Sequence, residues 1–330
     1  MANNEDWSLP GRENRFGMGA DECMLKRSFP ANFDIPKPIP EWIEMLKIQR
    51  LKEIAFYLWS RSPRRNLQRF TSIGSREHVA NPFQVWCLST GRVGSRTLAE
   101  LANLSGKVAA VHEPWPKTFG LSRLSYEYGK DSACQQVFVE SVTAVREKIV
   151  SEVENLHFIE TSPQCTFLAP ALKEVFPASR FIHIVRHPGA VVRSGMRREW
   201  YGGHVSDLFR LVPGSGDLQE RWGDMNQFQK NVWLWCETNR WILDFLQRDM
   251  GKHLLIRAED IFNGDEETLA GFFEFIGAGS PRQAKVERVL GLQLNSQAQG
   301  EFPEFEDWSR EERNFLETLG GDLMGRFGYR

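Results

Sequence analysis

The 330-residue sequence lacks several features that mark membrane and nucleic-acid-binding proteins. It has no apolar run as long as a transmembrane helix requires, and its first residues have neither a basic nor an apolar signal segment. We therefore expect a cytoplasmic protein. It has no excess of one charge either, with 41 basic and 43 acidic side chains and a formal net charge of −2. We expect no nucleic-acid partner, because such partners are bound mainly through positive charge.

Cysteines are few and dispersed, at Cys23, Cys87, Cys134, Cys165 and Cys236. None forms a C-x-x-C pair, and none lies near a histidine at the spacing of a metal site. This pattern predicts buried free thiols in a reducing compartment, and neither a disulfide framework nor structural zinc.

The composition, with 41% apolar and 25% charged residues, excludes wholesale disorder. We predict an N-terminal extension over residues 1–80, with an amphipathic helix beginning near Pro40, and a main domain over residues 81–330. A basic stretch, Arg61 to Arg69, follows the helix. The helix could lie on an anionic membrane surface as a peripheral contact. We favour the alternative, a helix packed on the core with a solvated basic tail.

From residue 82 onward, short apolar runs alternate with segments of helical periodicity. This pattern predicts an α/β fold. The predicted strands are Phe83–Leu88, Val108–Val111, Leu156–Ile159, Phe181–Val185 and His253–Ile256. The predicted helices are Thr97–Leu104, Ser132–Val153, Leu168–Phe176, Ala190–Glu199, Gln219–Met250 and a last one from Ser309 to Leu323. We expect a three-layer α/β/α architecture around a central parallel sheet of about five strands. Ligands of such sheets bind at the carboxyl ends of the strands.

A candidate phosphate site follows the first strand, in the segment Arg92-Val93-Gly94-Ser95-Arg96-Thr97. A glycine-containing turn that leads into a helix directs backbone N–H groups at one point, and the two arginines and two hydroxyls add donors. The segment is not a Walker A loop, because no lysine precedes the Ser/Thr. A second candidate lies after the fourth strand, where Arg186 and Ser194 flank the start of a helix.

In this order on successive strands, the motifs resemble those of the sulfotransferase family, which uses 3′-phosphoadenosine 5′-phosphosulfate (PAPS) as donor. The resemblance spans about residues 83–330 and implies a P-loop-like topology. It includes Glu160–Pro163, the Phe176-Pro177 stretch, Arg257–Asp260 and Gly328-Tyr329. It implies that Arg92 to Thr97 bind the 5′-phosphosulfate and that Arg186 and Ser194 bind the 3′-phosphate. The product is then adenosine 3′,5′-bisphosphate (PAP), and no metal is required.

The resemblance also implies a general base in the sequence His112-Glu113-Pro114 that ends the second strand. A Glu-Pro pair there is similar to the family branches that modify carbohydrates or tyrosines, so we favour Glu113 and keep His112 as the rival. Arg92 is the candidate for stabilising the bridging oxygen as negative charge develops on it.

Three positions depart from the family pattern. Arg96 stands where Ser or Thr is commoner, Thr161 where several members have Lys, and Ala258 where many have an aromatic residue against the adenine. Another side chain must therefore contact the adenine.

The sequence does not identify the acceptor, which could be a hydroxyl group of a glycan, a lipid or a small molecule. Trp200, Tyr201 and Trp222 could stack on it from a lid formed by a loop and a long helix. An exposed tryptophan-rich patch would allow a homodimer. Two other functions stay open, a nucleotide-dependent kinase or P-loop NTPase, and a non-catalytic nucleotide-binding protein.

Overall fold

The computed structural model describes residues 77–153, 155–203, 205–249, 251–292 and 301–329. Five strands are present: β1 Gln84–Leu88, β2 Val108–Val111, β3 His157–Glu160, β4 Arg180–Val185 and β5 His253–Arg257. The α-helices are α1 Ser95–Ala102, α2 Phe119–Tyr128, α3 Ser132–Val142, α4 Lys148–Ser151, α5 Cys165–Val175, α6 Pro188–Met196, α7 Asp217–Glu220, α8 Gln227–Arg248, α9 Ala258–Phe262, α10 Glu266–Phe275, α11 Gln283–Leu290 and α12 Arg310–Arg326. A π-helical segment, Thr143–Glu147, joins α3 to α4, and 3₁₀ segments lie at Val205–Phe209 and Phe305–Asp307.

The strands form one sheet in the order β2-β3-β1-β4-β5, and every pairing is parallel. Each of the five strand predictions is confirmed to within one residue at either end. β2 and β3 are buried at all four positions, and β1 and β4 at all but the first. Successive side chains of a strand point to opposite faces, so this burial means that both faces of the sheet are covered. The predicted α/β class with a central parallel sheet is confirmed.

Helix α8 corrects one sequence prediction. The segment Gln219–Met250 was expected to be a single helix, but α7 ends at Glu220 and α8 begins at Gln227. Asn226 stops the helix from extending backward, because its backbone is extended and its side chain caps the next turn. Its Oδ1 accepts the Gln229 N–H at 2.9 Å, while Gln229 Oε1 accepts the Asn226 N–H at 3.0 Å.

Helix α12 confirms the predicted last helix, and it begins with a capping box. The Ser309 hydroxyl accepts the Glu312 N–H at 3.2 Å, and a Glu312 carboxylate oxygen accepts the Ser309 N–H at 2.8 Å. Helices α2, α9, α10 and α11 were not predicted. The N-terminal helix and the basic stretch after it lie outside the described residues.

Cys87, Cys134, Cys165 and Cys236 are buried free thiols, as expected. Burial raises the pKa of the Cys236 thiol to about 12, so it stays protonated and unreactive at neutral pH. Within the described part of the chain, no helix combines the length and apolarity needed to cross a bilayer.

Candidate functional site

The turn between β1 and α1 has an unusual backbone. Gly91, Arg92 and Gly94 have φ values of 82°, 62° and 77°, in the left-handed region that costs a non-glycine residue energy. A strained arginine of this kind persists only where its surroundings hold it, and such positions concentrate at functional sites. α1 begins at Ser95 with no side-chain cap from Gly94. The first-turn N–H groups of a helix have no intrahelical carbonyl, so they can serve an anion.

The two sequence-predicted phosphate motifs meet at this turn. Arg92 Nε donates to Ser194 Oγ at 2.9 Å, although the two residues are 102 positions apart. Arg186 Nη1 donates to the Arg92 carbonyl at 3.1 Å. The indole N–H of Trp235 in turn donates to the Arg186 carbonyl at 3.0 Å. The β1 and β4 strand ends therefore present a joint group of donors.

The turn after β4 is held from the C-terminal part of the chain. The Glu259 carboxylate accepts the His187 N–H at 2.9 Å and the Tyr329 hydroxyl at 2.8 Å. The guanidinium of Arg257 lies 4.9 Å from the centre of the Tyr329 ring. The motifs noted around Arg257 and at Gly328-Tyr329 thus support the segment that carries Arg186.

His112 and Glu113 follow β2. His112 Nδ1 lies 3.2 Å from the Thr161 carbonyl and 3.1 Å from its hydroxyl, which fixes the ring. Glu113 has a φ of 47°, and its Oε1 is 3.9 Å from His112 Nε2 while Oε2 accepts from Lys117 Nζ at 2.9 Å. Thr161, which departs from the family pattern, therefore orients His112. Burial lowers the pKa of His112 below its ordinary value, so the ring is neutral at pH 7 and able to accept a proton.

Positive charges crowd this region. Burial, together with nearby Arg198 and Arg186, lowers the pKa of Arg92 to about 10. Burial also lowers the pKa of Arg186, an effect that Glu259 and Tyr329 oppose. Cations placed close together in a partly buried cleft repel one another, and an anion relieves that repulsion.

These residues line an open cavity of about 660 Å³. Of the predicted site residues, those that line it are Arg92, Gly94, Ser95, Arg96, Thr97, His112, Glu113 and Arg186. Ser194 reaches it through its contact with Arg92. Val93 does not line it, because its side chain packs in the hydrophobic core at 2% exposure.

Phe262 is a cavity residue that the sequence did not single out. It lies one helical turn after the buried Ala258, and its ring is 5.4 Å from the guanidinium carbon of Arg186. A Cβ added to Gly94 would lie 2.3 Å from the Phe262 ring, so the ring rests directly on the turn. The i,i+4 spacing from Ala258 on a helix was the signal that could have found it.

Of the three aromatic residues predicted to contact the acceptor, one lines the cavity. Trp200 lines the cavity, and its ring lies 4.3 Å from the Arg210 guanidinium carbon. Tyr201 and Trp222 do not line it; their rings pack against each other, and Trp222 packs on Trp233.

Among the described side chains, no group of three or more His, Cys, Asp and Glu residues is arranged to hold a metal ion.

Comparison with known proteins gives one family match. A model described as the sulfotransferase family matches residues 94–278, more than half of the chain. No curated protein sequence matches.

Solved structures similar to this chain include three sulfotransferases. The sulfotransferase domain from the curacin biosynthetic pathway is 16% identical over 78% of this chain and 99% of that domain, with a TM-score of 0.46. Sulfotransferase STF9 from Mycobacterium avium is 13% identical over 86% of each chain, with a TM-score of 0.45. A sulfotransferase from Alicyclobacillus acidocaldarius is 12% identical over 76% of this chain and 98% of that chain, with a TM-score of 0.41.

Proposed function

The chain belongs to the sulfotransferase family, and from that premise we propose that it transfers a sulfonate group from PAPS to the hydroxyl group of an acceptor. The observation that carries the proposal is the contact of Arg92 with Ser194, which unites the two predicted phosphate motifs in one cavity. Bound PAPS supplies the sulfonate: the acceptor oxygen bonds to sulfur, the bond from sulfur to the 5′-phosphate oxygen breaks, and PAP leaves.

The residues of the cavity fit such a donor. Arg186 and Ser194 would bind the 3′-phosphate, and the N-terminal turn of α1 with Ser95 and Thr97 would bind the 5′-phosphate. Arg92 would stabilise negative charge on the bridging oxygen, since its guanidinium stays positive at neutral pH even with a lowered pKa. Phe262 would lie against the adenine in place of the aromatic residue that Ala258 replaces.

Glu113 is the proposed general base, with His112 as the alternative. Either would take the proton of the acceptor hydroxyl while the oxygen bonds to sulfur. The left-handed backbone of Glu113 supports this role, because strained positions of this kind concentrate at functional sites. Positioning and electrostatics account for such a transfer without a metal ion.

The donor site is tested by calorimetric titration with PAP and, separately, with ATP–Mg²⁺. We expect PAP to bind without metal and Arg186→Ala to weaken binding by about 1.5–3 kcal/mol, the value of a charge-assisted hydrogen bond. The PAP affinity of Arg186→Lys should lie between those of the wild type and Arg186→Ala. Lysine keeps the positive charge but lacks the planar guanidinium that can donate two parallel hydrogen bonds.

The matched control is Arg248→Ala, because Arg248 is exposed and hydrogen-bonds only within its own helix among the described residues. It should leave PAP affinity unchanged. Binding of ATP–Mg²⁺ alone would overturn the proposal in favour of a kinase or NTPase. If neither nucleotide binds, the protein does not use PAPS as a donor.

A further inference from the structure

A second part of the cavity wall has a chemistry that differs from that of the donor-binding turn. Phe119 and Phe209 are exposed there to 40% and 42%, which is high for phenylalanine. Phe209 packs 3.5 Å from the position that a Cβ on Gly120 would occupy, so the two segments form one surface. Phe167, Leu211 and Leu234 extend this surface inward. Large apolar side chains that are exposed together mark a binding surface.

The charged side chains of this wall are already neutralised. Arg123 Nε pairs with Glu127 Oε1 at 2.7 Å. Arg210 Nε pairs with Asp207 Oδ1 at 2.8 Å. Arg198 lines the cavity too, but its influence on the pKa of Arg92 puts it beside the donor-binding turn. The wall therefore offers little to attract a charged acceptor, and it offers few of the polar side chains that a sugar requires.

Two polar atoms of this wall need a partner. Thr238 is 2% exposed and Gln164 is 1% exposed, and both line the cavity. Thr238 Oγ1 and Gln164 Nε2 have no hydrogen-bond partner among the described residues. Buried polar atoms are nearly always hydrogen-bonded, so an unpaired amide donor and a hydroxyl in a ligand cavity indicate a ligand with a neutral oxygen function.

From this wall we infer the class of acceptor, an inference that rests on the proposed function. The acceptor is an uncharged alcohol with a hydrocarbon or aromatic body and a second oxygen function, such as an ester carbonyl, that accepts from Gln164 Nε2 or pairs with Thr238. The body lies against Phe119 and Phe209, and the reacting hydroxyl lies toward Glu113. A carboxylate on the body would lie unpaired against apolar side chains, and a glycoside would leave its own hydroxyls without partners.

The test compares four alcohols: methyl 10-hydroxydecanoate, 1-decanol, 10-hydroxydecanoate and methyl β-glucoside. Binding is measured by calorimetry in the presence of PAP, and turnover by PAP release from PAPS. We expect the ester to have the highest kcat/KM and the free acid at least about tenfold lower. The glucoside should be lower still.

Phe209→Ala should reduce ester affinity about tenfold, from the apolar surface lost. Thr238→Val should reduce ester affinity several-fold but leave decanol unchanged, because only the ester can use the hydroxyl. Leu255→Ala is the control, since Leu255 is 47% exposed and does not line the cavity. It should change neither affinity.

The outcomes separate the acceptor class from the donor proposal. If PAP binds and the glucoside or the free acid is preferred, the acceptor class is wrong while the donor site stands. If PAP does not bind, the proposed function fails, and the alcohols are titrated without it. Ester binding weakened by Phe209→Ala would then still support the apolar ligand site, and no binding would overturn it.

Discussion

Glu113 and His112 are neighbours in the chain but have different partners. The Glu113 carboxylate pairs with Lys117, whereas the His112 ring is fixed by Thr161. With Glu113 as base, Glu113→Gln should lower kcat by about 10²–10⁴-fold, the usual contribution of general-base catalysis. PAP affinity should not change, because Glu113 has no proposed contact with the phosphates. The measurement is kcat together with the calorimetric Kd of PAP.

His112→Asn is the matched variant, because the shorter amide can still hydrogen-bond to Thr161. It should lower kcat by much less than Glu113→Gln. The reverse order of the two effects would assign the base to His112.

Gly94 has a φ of 77° and no room for a side chain, because the ring of Phe262 occupies the space. Gly94→Ala should therefore weaken PAP binding through both the clash and the backbone strain. The double variant Gly94→Ala/Phe262→Ala removes the clash and keeps the strain. We expect it to recover part of the PAP affinity relative to Gly94→Ala.

Phe262→Ala alone measures what the ring contributes to PAP. Its loss should weaken PAP binding about tenfold if the adenine stacks on it. An unchanged Kd for Phe262→Ala would place the adenine elsewhere.

At the scale of elements, one buried ion pair holds the segment between β2 and α2. Arg146 Nε lies 2.7 Å from Glu160 Oε2, and both side chains are almost fully buried. The same guanidinium donates to the Pro116 carbonyl at 3.2 Å and to the Thr118 hydroxyl at 3.4 Å. Arg146 is therefore a positioning residue for the segment that carries Glu113 and Lys117.

Replacing the pair tests this role. Arg146→Met should destabilise the fold by about 3–5 kcal/mol, because it leaves Glu160 buried and unpaired. The double variant Arg146→Met/Glu160→Leu should regain stability, since an apolar pair can replace a buried ion pair. The kcat of the double variant should stay below that of the wild type, because the hydrogen bonds to Pro116 and Thr118 are still missing. Urea unfolding and kcat are measured together, and recovery of both would limit Arg146 to a structural role.

Elements that the sequence predicted well have strong periodicity or a local stop signal. The five strands are short, mostly apolar runs, and α12 has a capping box. The break before α8 was not predicted, because the helical periodicity continues through Asn226 and Gln229. The side chains of these two residues in fact cap a new helix. The i,i+4 spacing could have placed Phe262 on the same helix face as Ala258, but its contact with Gly94 could not be predicted, because it joins segments about 170 residues apart.

At the scale of the whole molecule, a buried histidine makes stability depend on pH. Burial lowers the pKa of His183 to about 4, and its Nε2 lies 2.9 Å from Asn239 Oδ1. The unfolded chain binds a proton near pH 6.5, whereas the folded chain does so only near pH 4. Stability is therefore unaffected by this group above pH 6.5 and falls as the pH drops from 6.5 to 4.

The expected slope from His183 is about 1.4 kcal/mol per pH unit within that window. Urea unfolding at several pH values measures it. His183→Gln, which cannot titrate, should reduce the slope by about that amount. An equal slope in the variant would show that other groups dominate the acid sensitivity.

The parallel sheet also has a consequence for synthesis on the ribosome. β1 pairs with β3 and β4, so Val85 lies beside Ile159 and Arg180, and Ser194 reaches Arg92 across 102 residues. At about 5–20 residues per second, the ribosome extrudes the Arg92 turn roughly 5–20 s before its serine partner. During that interval β1 has not yet paired with all of its neighbouring strands, and it stays exposed to chaperones. Arg92 and Ser194 are thus brought together late, and a ligand that binds only this cavity would stabilise the finished fold by mass action rather than start its formation.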